Sequence, residues 1–192
     1  MAVELTVVTG LPGALLFPVA RELKEQGHEI LWPGQTLDLH GDVERYKDGE
    51  NPEVTRMHNA LLATTGQTWF TVNSPQFYDP PCPGPEDILG QFAEGAKVVL
   101  ADVRFCLFLP LWVAYLRRLV ICDCSPEESA ATMQRWWKGK VGLDDCVLVS
   151  HHYGNRLRTY ASRIMERIEL PSGDVRSGEF TRRLRGFLKN GF

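Results

Sequence analysis

The opening of the chain constrains its fold more than any other stretch. Leu5 to Thr9 is a short apolar run rich in β-branched residues, and Gly10-Leu11-Pro12-Gly13 interrupts it. Leu15 to Gln26 then carries apolar residues at helical spacing, and Gly27 stands where a helix commonly ends. His28-Glu29-Ile30-Leu31 reads as a second short strand. A strand, a glycine-bearing turn, a helix and a strand form a crossover unit. Such a unit predicts a parallel sheet with helices on its faces.

The rest of the chain extends that pattern. Pro52 suits the first turn of a second helix, along which Val54, Met57, His58, Leu61 and Leu62 repeat as far as Gly66. Between Gly66 and Pro85 the prolines are too frequent for a central strand or helix, so an ordered surface loop is expected there. Lys97 to Ala101, Leu119 to Cys122 and Cys146 to Ser150 read as further strands, alternating with helices that begin near Phe105, Pro126 and Asn155. Ser177 to Lys189 makes a last helix. The expectation is one α/β domain over residues 1–192: three α/β/α layers around a parallel sheet of about five strands, its first strand central.

Composition narrows the partners. With 44% hydrophobic and 23% charged residues and a formal charge of −3, the chain belongs with ordinary globular proteins and has no overall field to draw in nucleic acid. The cluster Arg182, Arg183, Arg185 and Lys189 reads as the solvated face of the last helix, so no nucleic-acid partner is expected. MAVELTVVTG shows no basic leader and no span-length apolar run, from which a cytoplasmic location and no membrane partner are expected. The five cysteines form an odd set. Cys106, Cys122 and Cys146 sit in apolar surroundings and are expected to be reduced and buried. Cys122-x-Cys124 with His151-His152 lacks the spacing of established zinc sites, and no metal is expected.

In a parallel sheet, ligands sit beyond the carboxyl ends of the strands, where helix N-termini aim N–H groups at anions. Gly10 to Leu16 occupies that place. A phosphate cradle wants unobstructed amides and a Lys, Arg, Ser or Thr to meet the charge. Here Gly13 is followed by Ala14, Leu15, Leu16 and Phe17, and Pro18 has no N–H. The turn is therefore read first as structural.

Several segments together resemble the bacterial P-loop sulfotransferases that use 3′-phosphoadenosine 5′-phosphosulfate (PAPS). VVTGLP, residues 7–12, is similar to the lead-in of that family's donor loop, with Gly-Ala-Leu-Leu-Phe replacing Arg-Ser-Gly-Thr-Ser. ENPEVTRMHNALLATTGQTW, residues 50–69, looks like the family's second helix. ADVRFCLFLPLW, residues 101–112, resembles Lys-Asp-Pro-Arg-Leu-Cys-Leu-Thr-Leu-Pro-Leu-Trp and keeps Asp102, Arg104, Cys106, Leu109, Pro110 and Trp112. LVICDCSPEESAATM, residues 119–133, is similar to the segment bearing the family's 3′-phosphate site, where an arginine and a serine are replaced by Cys124 and Thr132.

The resemblance implies a P-loop fold with a cofactor site at Gly10, Leu11, Pro12, Gly13, Ala14, Arg104, Cys124 and Thr132. The replacements fall on the residues that would meet phosphate, since Cys124 cannot supply the forked, charge-assisted contact of an arginine. The expectation is a degenerate donor site that holds no cofactor, in a domain that is inactive, has an altered ligand, or serves as a protein-interaction scaffold. The alternative is an active sulfotransferase with a rearranged site, which would bind PAPS and its adenosine bisphosphate product. Among titratable groups (His28, His40, His58, His151, His152, Glu44, Glu50 and Asp102), the catalytic candidates are His151 and His152, read as following a strand at the carboxyl edge, and Asp102. Asp102 and Arg104 are expected to pair with each other, and His58 to be packed.

A second resemblance covers the N-terminus. VVTGLPGALLFPVARELKEQGHEI also looks like the opening of an extended short-chain dehydrogenase, and VLVSHHYGN, residues 147–155, echoes that family. Leu16 stands at its third glycine, and Tyr160 has Ile164 at the lysine's place. For the scaffold reading, the contact surface would be Trp69, Phe70, Phe77, Tyr78, Trp136 and Trp137. The ligand is then a small molecule or a protein, and self-association stays open.

Overall fold

The computed structural model describes residues 3–31, 36–37, 43–44, positions 54, 57–58, 60–61 and 63, and residues 84–136 and 139–189. In chain order its elements are β1 (Glu4–Gly10), α1 (Leu16–Glu25), β2 (Glu29–Leu31), β3 (Thr36–Leu37) and β4 (Val43–Glu44), then α2 (Pro85–Leu89), β5 (Lys97–Ala101), α3 (Phe105–Trp112) and β6 (Leu116–Cys122), and finally α4 (Pro126–Trp136), α5 (Leu143–Ala161), β7 (Arg167–Leu170), α6 (Ser172–Ser177) and α7 (Phe180–Lys189). The described positions between 54 and 63 are helical.

Five strands form one parallel sheet in the order β2-β5-β1-β6-β7, and β3 and β4 make a separate antiparallel pair. β1 is central, as its apolar run predicted. Thr6 to Gly10 are all buried, with Val7 opposite both Leu100 and Leu119. From β1 the chain crosses one way to β2, and from β5 and β6 it crosses the other way, so right-handed connections place α1 on one face and α3, α4 and α5 on the other. The core fills both layers, with Leu23 and Val19 under α1 and Phe105, Phe108, Trp112, Met133 and Tyr153 under the opposite helices.

One strand was expected in the wrong place. Cys146 to Ser150 is not a strand but part of the nineteen-residue helix α5, which also absorbs the helix start expected near Asn155. The reason is visible in its spacing: Cys146, Val149, Ser150, Tyr153 and Leu157 are buried at three- and four-residue intervals, and Asp144 and Asp145 in the first turn favour the helix N-terminus. The fifth strand is β7, where Arg167 and Glu169 alternate with Ile168 and Leu170. The terminal helix is also divided, because Gly178 takes a left-handed conformation at φ 81° and ends α6 before α7 begins. The proline-rich segment with Trp69, Phe70, Phe77 and Tyr78 lies outside the described residues, as do Cys82, Trp137, His40 and Glu50. No described helix is long and apolar enough to cross a membrane.

Candidate functional site

The carboxyl ends of β1, β5 and β6 meet at mid-sheet, and three segments from them define the candidate site. The first is the turn after β1. Gly10 is paired with Cys122, and a Cβ there would press on the Cys122 carbonyl oxygen and lie 2.5 Å from the Ala14 Cβ. Gly13 has φ 94°, and a Cβ on it would lie 2.7 Å from the Thr132 Oγ1. These two glycines let the turn lie flat against β6 and α4. Leu11, Ala14 and Leu16 are buried. The Ala14 N–H donates to the Leu11 carbonyl and the Leu16 N–H to the Ala14 carbonyl, both at 2.9 Å. Pro12 and Pro18 have no N–H, and two of the amides between them, those of Ala14 and Leu16, are turned inward where a phosphate nest would use them.

The second segment follows β6. Cys124 is 6% exposed, its thiol pushed up to about 12, chiefly by burial, so the sulfur is a neutral thiol. Next to it, Ser125 and Glu128 close the N-terminus of α4 on itself. The Glu128 N–H donates to the Ser125 Oγ at 3.1 Å, and the Ser125 N–H to the Glu128 carboxylate at 3.3 Å. Arg176 donates to the same carboxylate at 2.8 Å, and that bond, with the Ser125 N–H, holds Glu128 below its usual range. One turn on, the buried Thr132 donates its hydroxyl proton to the Glu128 carbonyl at 3.0 Å and accepts from the Arg135 guanidinium at 3.1 Å. A hydroxyl has one proton. That of Thr132 is already committed inside the chain.

The third segment follows β5, where Asp102 is pinned on every side. Its N–H donates to the Val8 carbonyl at 3.1 Å, its carbonyl accepts the Thr9 hydroxyl at 2.9 Å, and its Oδ1 accepts the Arg104 N–H at 2.9 Å. The Arg104 Nε stands 2.6 Å from Oδ2, too poorly aligned for a hydrogen bond but close enough for a strong ion pair. His58 lies behind the pair, its Nδ1 3.7 Å from the same oxygen. The imidazole is fully buried, stacked on Phe108 at 4.3 Å, and its Nε2 accepts the Trp112 indole N–H at 3.1 Å. Burial lowers its proton affinity, outweighing the Asp102 carboxylate, so the ring is neutral with its proton on Nδ1. With both groups out of reach of solvent, this cluster clamps the helical stretch around His58 to α3 and to the end of β5.

The candidate residues thus fall into two groups. Gly10, Leu11, Pro12, Gly13, Ala14, Asp102, Arg104, Cys124 and Thr132 are brought together at the strand ends or on the helix beside them. His151 and His152 are not. They lie in the middle of α5 rather than after a strand, His151 exposed on its outer face and His152 half-buried. VLVSHHYGN is likewise helical rather than a strand and loop. Of the other arginines, Arg117 and Arg118 start β6 at the opposite end of the sheet and pair with Glu4 and Glu166. Sequence reasoning did not pick out Arg135 or the Glu128 carboxylate. The signal for the latter was present in Ser125-Pro126-Glu127-Glu128, a serine followed three residues later by glutamate.

No protein-family model matches the chain, and no curated protein matches it either.

Proposed function

We propose that this chain is a sulfotransferase-like domain whose donor site no longer holds a sulfuryl donor, and that it works by binding, as an interaction domain, rather than by group transfer. The observation that carries this is the closed turn at residues 10–16. Leu11 and Leu16 are buried, the Ala14 and Leu16 amides bond within the turn, and the Thr132 side chain fills the space beside Gly13. The central first strand, the turn at its carboxyl end and the kept Asp102-Arg104 pair support the family framework. The capped α4 N-terminus supports the loss of the 3′-phosphate contact, because a carboxylate stands where an anion would dock.

One observation favours a second reading. Arg135 reaches the Thr132 hydroxyl, which puts a cation beside the position that would meet the 3′-phosphate and could restore the missing charge in a rearranged, active site. Calorimetry with the adenosine bisphosphate product separates the two. The interaction-domain reading expects no detectable heat at about millimolar ligand. Micromolar binding that disappears in Arg135→Ala and Thr132→Ala would overturn it.

A further inference from the structure

Among the described residues, one buried arginine stands without a carboxylate. Arg156, on α5, is 8% exposed and has no acidic partner among the described residues, whereas Arg104, Arg118, Arg176, Arg183 and Arg185 each have one. Its guanidinium donates through Nη2 to the Tyr160 hydroxyl at 3.0 Å and lies 5.4 Å from the centre of that ring. Its Nε is buried with no hydrogen-bond partner. Enclosing a guanidinium in this way is costly unless an anion shares the space.

The neighbours repeat the anomaly. His152, Arg156 and Tyr160 are spaced by four residues, so they form one stripe along α5. The Nε2 of His152 is also buried with no hydrogen-bond partner. Burial, and after it the Arg156 charge, lowers the proton affinity of this ring. Tyr160, already accepting from Arg156, keeps its own proton to donate. An arginine, an imidazole and a phenol thus offer donors along one stripe, and among the described residues no carboxylate forms an ion pair there.

We propose that the His152-Arg156-Tyr160 stripe of α5 is a binding site for a small oxyanion group, a carboxylate or a tetrahedral phosphate or sulfate, presented by a ligand or partner. The stripe shares no residue with the turn at residues 10–16, and the inference does not depend on the sulfotransferase-like reading. A planar guanidinium favours such groups because it meets two oxygens at once. The imidazole and phenol would contact the same group from either side.

The test titrates the full chain with sodium phosphate, sodium sulfate and sodium acetate at constant ionic strength, following the melting temperature and the histidine ring signals by NMR. At least one anion is expected to raise the melting temperature saturably and to shift the His152 ring signals with the same dissociation constant, below about 10 mM. Arg156→Met keeps an unbranched apolar stem and removes a buried charge, so it should fold at least as well while weakening that anion at least about tenfold. Arg182→Gln, on the solvated face of α7, should bind as the parent does. Saturable binding that persists in Arg156→Met, or no saturable effect from any of the three anions up to about 50 mM, would overturn the proposal. If Arg156→Met fails to fold, Tyr160→Phe with the His152 signals gives the decision: an unchanged anion affinity there overturns it as well.

Discussion

His58 should make this protein acid-labile well above the range in which its carboxylates protonate. In the folded chain the imidazole is held neutral: it is fully buried, and its Nε2 accepts the Trp112 N–H, so adding a proton there would break that bond and leave two donors facing each other. In the unfolded chain the same ring titrates near 6.5. A group whose folded proton affinity is lowered contributes no penalty above its unfolded value, and costs stability as pH falls below it, because only the unfolded chain takes up the proton. The slope approaches about 1.4 kcal/mol per pH unit, so moving from pH 7.5 to 5.5 should remove about 1.4 kcal/mol through His58 alone. His28 and His152 are also lowered and act in the same direction, while Glu128 loses its contribution only near and below its ordinary value of 4.5. Urea unfolding at pH 7.5, 6.5 and 5.5 measures the effect. In His58→Gln, whose amide can still accept from Trp112 but cannot titrate, stability should be lower at pH 7.5 and the pH slope should shrink by that amount. An equal slope in parent and variant would refute the reasoning.

Two further outcomes follow from packing. Gly10→Ala should lower the denaturation midpoint by an amount equivalent to about 3 kcal/mol, because the new methyl meets the Cys122 carbonyl and the Ala14 methyl with nowhere to move; an unchanged midpoint would contradict the close approach. Cys106, Cys122 and Cys146 are free, buried and pushed up in proton affinity by burial, so a thiol reagent at neutral pH should leave them unmodified until the chain unfolds, and prompt labelling of all three would sink that expectation.

The legible parts of the fold are those where local pattern and tertiary role agree. β1, the turn at Gly10 to Gly13, α1 and β5 were all readable, because an apolar run, a glycine break and a helical period each point to one element. α5 was misread because Val147, Leu148 and Val149 mimic a strand locally, whereas the burial of one flank only becomes clear over the helix's full length. β7 was missed for the converse reason. Four residues with two charges carry no strand signal of their own, and only the open edge of β6 fixes Arg167 to Leu170 in the ladder. In the candidate site, the Asp102-Arg104 pair and the packed His58 were legible from their places at a strand end and on an apolar helix face. The partners of Thr132 were not, since the bond from Arg135 depends on the rotamer chosen in the fold rather than on spacing.

On the proposed reading, the closed turn also accounts for how losing a ligand need not weaken such a fold. A nest of amides held open for phosphate carries several unsatisfied donors when empty, each costing about 1–3 kcal/mol if buried. Here two of those donors are satisfied within the turn, by the carbonyls of Leu11 and Ala14, and proline removes two more. Leu16, at a position where the resemblance has a threonine, adds apolar burial in place of a hydroxyl. On that reading, the replacements that would remove donor affinity also let the empty turn pack on itself. Restoring a single cation, as in Leu15→Arg, should not recover binding of the adenosine bisphosphate in calorimetry, because the Ala14 and Leu16 amides on either side of it remain bonded inside.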